Sequence, residues 1–160
     1  MTCLVLHESY DQFIKLQGHS MKKIILALCI IATSGCATSA ISPDKASLVP
    51  SSRVFAFQNS NENNPVLTVV RDTGMLGSGC FYGLYVNGER AALLNTGERV
   101  DLHLKPGEWN IGFKGEGKVC ISDDSLSEKE ISLSAGQHKA VRLFADLGGN
   151  LEIKAVTLPK

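Results

Sequence analysis

Between Phe81 and Leu94 the chain reads Phe-Tyr-Gly-Leu-Tyr-Val, then Asn87-Gly88, then Glu-Arg-Ala-Ala-Leu-Leu. Two short strand-forming runs joined by Asn-Gly predict a tight hairpin, because both central residues of a type I′ turn need positive φ. Short period-two runs of this kind recur through the rest of the chain. Residues 53–58 and 66–71 flank an Asn-rich loop at 59–65. Residues 99–104 alternate through Val100, Leu102 and Leu104, and Lys105-Pro106-Gly107 turns them into 108–113. Residues 130–133, 139–144 and 151–156 follow, with turns at Ala135-Gly136 and Gly148-Gly149-Asn150. Many short strands broken by turn residues predict an all-β chain, and an antiparallel β-sandwich of immunoglobulin-like type with about eight strands over 52–158 is expected. Helix is scarce: the polar stretch 122–129 is short and holds Asp123-Asp124 beside two serines, so a loop or a single turn is expected there.

The first fifty residues have a different character. From Met21 the sequence has a basic start at Lys22-Lys23, an apolar run from Ile24 to Ala32, and a small-residue site. That is the anatomy of a secretory signal. The apolar run is well short of the roughly 20 residues that a permanent membrane-spanning helix requires. Thr33-Ser34-Gly35-Cys36 resembles the lipobox of bacterial lipoproteins, with Thr33 in a place more often taken by a leucine-like residue. The resemblance implies cleavage before Cys36, acylation of its thiol and anchoring by lipid, each buried methylene contributing about 0.8 kcal/mol. The competing reading is an ordinary signal cleaved near Ala37 or Ala40. Residues 1–20 carry Glu8 and Asp11 and would place the basic start inside the precursor, so they are expected to be an extra or spurious extension with Met21 the true start. Ala37 after the lipidated cysteine implies the outer membrane under the sorting rule of enteric bacteria. Residues 36–51 then read as a lipidated N-terminus and a flexible tether, being small, polar and interrupted by Pro43 and Pro50.

Removing Lys15, Lys22, Lys23, Glu8 and Asp11 from totals of 16 and 16 leaves 13 cationic and 14 anionic side chains after Gly35. Such a balance carries no electrostatic footprint for nucleic acid. Of the five cysteines, only Cys80 and Cys120 remain in the domain once Cys3, Cys29 and Cys36 are set aside, and an even pair in an exported domain reads as a disulfide. Closing a loop of about 40 residues would stabilise the domain by roughly 4 kcal/mol. The alternative is a reactive Cys80 in the Gly-rich run 77–83, which needs a base to form thiolate. Only His103 and His138 are available to it, and both sit in strand or turn patterns.

Tyr85-Val-Asn-Gly88, Leu93, Gly97, Leu102-His-Leu-Lys-Pro-Gly107 and the following Trp109 together resemble PEGA-type β domains and small uncharacterised bacterial envelope lipoproteins. The resemblance runs from about residue 53 to 113. It implies a small β-sandwich displayed on the envelope, with no enzymatic activity attached.

The remaining motifs are weak. Gly77-x-Gly79-x-x-x-Gly83 lacks a following helix pattern to aim at a phosphate, so its glycines are better read as a turn or bulge before Cys80. Asp123-Asp124-Ser-Leu-Ser-Glu128 lacks the glycine and ligand rhythm of a calcium loop. No nucleophile elbow or zinc motif occurs, and neither metal nor other cofactor is expected. Tyr82, Tyr85 and Trp109 would form a sugar-stacking or amphiphile-binding platform if they shared an exposed face, although strand aromatics are usually core or cross-strand pairs. The expected function is therefore a lipid-anchored, non-catalytic interaction module that meets an envelope protein or the cell wall. Ligand binding through Tyr82, Tyr85 and Trp109 is the alternative, and a thiol enzyme using Cys80 ranks third.

Overall fold

The computed structural model describes residues 38–74, 79–117, 126–146 and 148–158. A division of the chain falls between Gly35 and Cys36, and every described residue belongs to the second unit. The expected leader, Cys36, Cys120 and Gly77 lie outside the described residues.

Among the described residues nine strands follow one another: β1 (Ser47–Leu48), β2 (Val66–Arg71), β3 (Phe81–Val86), β4 (Glu89–Leu94), β5 (Glu98–His103), β6 (Gly107–Glu116), β7 (Ser127–Leu133), β8 (His138–Ala145) and β9 (Leu151–Val156). They form a five-stranded sheet in the order β1-β5-β2-β8-β9 and a four-stranded sheet in the order β4-β3-β6-β7. Leu67, Val69, Val100, Leu102, Val141 and Leu143 from the first sheet meet Tyr82, Leu84, Val86, Ile111, Phe113 and Leu133 from the second in one buried core. The described residues thus form an all-β sandwich. Its helical content among the described residues is one 3-10 turn, Ser51–Arg53.

The hairpin signal was accurate to the residue. β3 and β4 pair from Tyr82↔Leu94 to Val86↔Glu89, and the connecting Asn87 and Gly88 have φ of 47° and 79°. The Asn87 side-chain oxygen also accepts from the Asn110 N–H, tying the turn to β6 at 2.8 Å.

Three expectations are corrected. The five-stranded sheet is mixed rather than antiparallel: β2 pairs antiparallel with β5 but parallel with β8, and β1 runs parallel to β5. Parallel neighbours need a long crossover, and here β3 to β7 supply it between β2 and β8, all of them but β5 forming the other sheet. Residues 53–58 are not a strand paired with β2. Val54 makes one bridge to Ala92, Phe55 N donates to Ala91 O, and Phe57, at φ 64°, accepts from His103 N. The segment closes the side of the sandwich between β4 and β5, so its backbone is satisfied by two different sheets in turn.

Residues 38–51 are docked on the domain instead of forming a flexible tether. Ser39 and Thr73 exchange two backbone hydrogen bonds, Ser47 N and Val49 N donate to Gly97 O and Arg99 O, and Ala46 and Val49 are buried. The composition is that of a linker, but backbone groups pair without regard to side-chain polarity, and two small apolar residues suffice to seat a short edge.

Candidate functional site

Along β3 successive side chains point to opposite faces, and that separates the expected aromatic platform. Tyr82 is in the core, 3% exposed, tilted against Phe113 at a centroid distance of 4.9 Å. Tyr85, three residues on, faces outward and donates from its hydroxyl to Glu116 Oε1 at 2.6 Å. Trp109 packs half-buried against the core, edge-on to Phe57 at 6.1 Å, and donates from Nε1 to Lys105 O. An odd spacing on one strand forbids a shared face, so Tyr82, Tyr85 and Trp109 do not converge.

Cys80 is disulfide-bonded, so it presents no thiol to act as a nucleophile. Its expected partner, Cys120, lies outside the described residues. His103 and His138 both align with Val66, at the opposite end of the sandwich from Cys80. His138 Nε2 lies 2.8 Å from the Thr68 hydroxyl, which donates to Asp101 Oδ1.

What the fold does assemble is on the outer face of the four-stranded sheet. Phe55 is 49% exposed and Phe81 38%. The Arg90 guanidinium lies 5.0 Å from the Phe55 ring centroid and also binds the Glu116 carboxylate. The Arg53 guanidinium lies 5.2 Å from the Phe81 ring and grips Glu98 with two nitrogens, at 2.6 and 2.7 Å, while donating to Leu93 O. Exposed aromatics with arginines already stacked on them form a surface patch of the composition that protein interfaces favour.

Glycine permits this arrangement. A Cβ on Gly83 would lie 1.8 Å from Glu116 Oε1, so the bare strand lets the carboxylate cross β3 to reach Tyr85 and Arg90. Gly112 similarly accommodates Glu128, whose Oε1 accepts from Asn110. The hydrogen bond to Glu116 pushes the Tyr85 hydroxyl above its ordinary pKa, with burial adding to the effect.

Behind the patch, at the Cys80 end, Arg71 is 1% exposed and points into the core. Its Nη1 donates to Cys80 O at 2.6 Å and Leu94 O at 2.8 Å, and its guanidinium lies 3.7 Å from the Tyr82 ring centroid. Next to it, Asp72 pairs with Arg142 at 2.7 Å. Burial raises the Asp72 pKa against the attraction of Arg142.

None of Arg53, Phe55, Arg71, Phe81, Arg90, Glu98 or Glu116 was identified as a site residue from sequence. The period-two run Leu67, Val69, Arg71 was a signal for the buried arginine. The arginine stacked on Phe55 comes from β4 and leaves no local signature.

Glu98 gives a pH prediction. Burial raises its pKa, but hydrogen bonds from Arg53 and the Asn95 N–H, with the attraction of Arg53 and Arg71, outweigh burial and hold it below the ordinary 4.5. A depressed carboxylate stabilises the fold above its unfolded pKa, and that stability is lost as pH falls through the folded value. Asp72, with its raised pKa, acts in the opposite sense. Glu98→Gln will therefore be less stable at neutral pH and will show a shallower loss of Tm on acidification below about pH 4.5. An unchanged acid slope in thermal melts would contradict the assignment.

A scan against protein-family models finds no match, and a search of curated proteins finds none.

Proposed function

We propose that this chain is a lipid-anchored protein of the bacterial envelope, held by acylated Cys36 and facing the periplasm from the outer membrane. Its sandwich is a non-catalytic module, of the kind the PEGA-like resemblance implies, and it docks an envelope protein on the outer face of the four-stranded sheet. Three features support the reading: the lipobox-like Thr33-Ser34-Gly35-Cys36, the division of the chain between Gly35 and Cys36, and the exposed patch. The patch carries most weight, because Phe55 and Phe81 project beside Arg90 and Arg53 without closing any core of their own. A glycan or amphiphile site on Tyr82, Tyr85 and Trp109 loses its platform, since those residues occupy different faces.

A photoreactive residue at Phe55 in cells will capture one defined envelope protein, and Phe81→Ala will reduce the yield. Phe81→Ala itself will change stability by less than about 1 kcal/mol, as expected for an exposed side chain. Persistent absence of any defined adduct counts against the docking face. Intact-mass spectrometry of protein from the native membrane tests the anchor separately, through the acyl mass on Cys36.

A further inference from the structure

We infer that the sandwich sits directly on the phospholipid headgroups by one end, with no free linker between lipid and domain. The inference rests on the reading of Cys36 as the lipidated residue. Thr38 is already fixed to the fold: its hydroxyl donates to Ala145 O at 3.0 Å. Ser39 N donates to Thr73 O at 2.7 Å, Thr73 N returns to Ser39 O at 3.1 Å, and the Thr73 hydroxyl donates to the same oxygen. Ala37 is the single residue between Cys36 and Thr38. Even fully extended, the step from residue 36 to residue 38 spans at most about 7 Å.

The same end holds the last residue of β8, the first of β3 and the first of β9, as Ala145, Phe81 and Leu151 show. The Arg71 bonds to Cys80 O and Leu94 O, and the Ser127 hydroxyl bond to Leu151 O, show that both sheets end together here. Acyl chains on Cys36 would hold this end against the headgroups. The Asn87-Gly88 turn and Trp109 would point away from them. Along β6, Glu116 and Trp109 are separated by seven strand steps, about 23 Å. The patch with Phe55 and Phe81 then stands side-on to the bilayer, with Phe81 near the surface, so the partner it meets is one held at the same membrane.

Trp109 is the sole tryptophan, which provides the test. The lipid-bearing full-length protein, reconstituted in phospholipid vesicles containing a headgroup-spin-labelled phosphatidylcholine, will show little quenching of Trp109. Phe81→Trp in a Trp109→Phe background will be quenched several-fold more, and Asn95→Trp, in the exposed turn after β4, reports from the same end if that variant fails to fold. A flexible Gly-Ser insert between Ala37 and Thr38 will relieve the quenching. Equal quenching at both ends, or quenching that survives the insert, overturns the seating while the anchor stands. A preparation whose mass shows no acyl group on Cys36 overturns the anchor itself.

Discussion

Arg71→Leu will lower the stability of the domain by roughly 3 kcal/mol, because it takes the guanidinium donor away from one buried and one partly buried backbone carbonyl. The size follows from what stays behind. Desolvation lowers the Arg71 pKa, and exchanging a buried charge pair for an apolar side chain is often neutral when both partners leave together. Here the acceptors are Cys80 O and Leu94 O, which no side-chain substitution removes. Each unsatisfied acceptor costs about 1–3 kcal/mol, and the guanidinium stacked on Tyr82 adds up to about 2 kcal/mol when desolvated. The gain in apolar burial offsets part of this. In a thermal melt the change corresponds to a fall of about 10 °C. Arg71→Lys will be intermediate, since one nitrogen already serves both carbonyls and an ammonium can replace it there, whereas the planar group stacked on Tyr82 is lost. A loss below about 1 kcal/mol for Arg71→Leu would mean that neither carbonyl depends on the guanidinium.

Phe113→Ala will cost about 4 kcal/mol, within the range for emptying a fully buried aromatic site. Phe113 is 0% exposed on β6, a central strand of its sheet, and it packs against Tyr82. Phe113→Leu will cost far less because most of the volume is kept. Urea unfolding distinguishes the two, with a fall in midpoint and an unchanged slope expected for both. Set beside the near-neutral Phe81→Ala, this contrast separates inner from outer residues on neighbouring strands.

The same alternation explains which parts of the fold were legible in sequence. β3, β4 and β9 matched their expected bounds because turn residues whose φ requirements are local border them, as at Asn87-Gly88, even though β4 itself is Glu-Arg-Ala-Ala-Leu-Leu and holds no β-branched or aromatic residue. The run Val54, Phe55, Phe57 has strand composition, yet its hydrogen bonds go to β4 and then to β5. Which partner a backbone group finds is a tertiary fact with no local code. The parallel pairing of β2 with β8 was hidden for the same reason.

Tyr82 has the core position usual for a strand aromatic, and Tyr85 does not. A spacing of three on a strand puts one in the core and the other outside, and period two alone would have separated them. The surface patch was not legible at all. It depends on Arg53 and Phe55, Phe81, and Arg90 arriving from three segments, and on Gly83 leaving room for a carboxylate from β6.

The parallel partnership of β2 and β8 also bears on when this domain can fold. Thr68 on β2 and His138 on β8 are 70 residues apart in the chain, yet they are cross-strand neighbours. Until β8 is in place, β2 has an unpaired edge and the core lacks Val141 and Leu143. Contacts of such long range are formed late and slowly. Under the export proposed above, β2 to β7 would therefore emerge incomplete, and would close only when β8 followed them out. Loss of the last twenty or so residues would leave β2 with an adhesive edge, a natural target for chaperones and proteases.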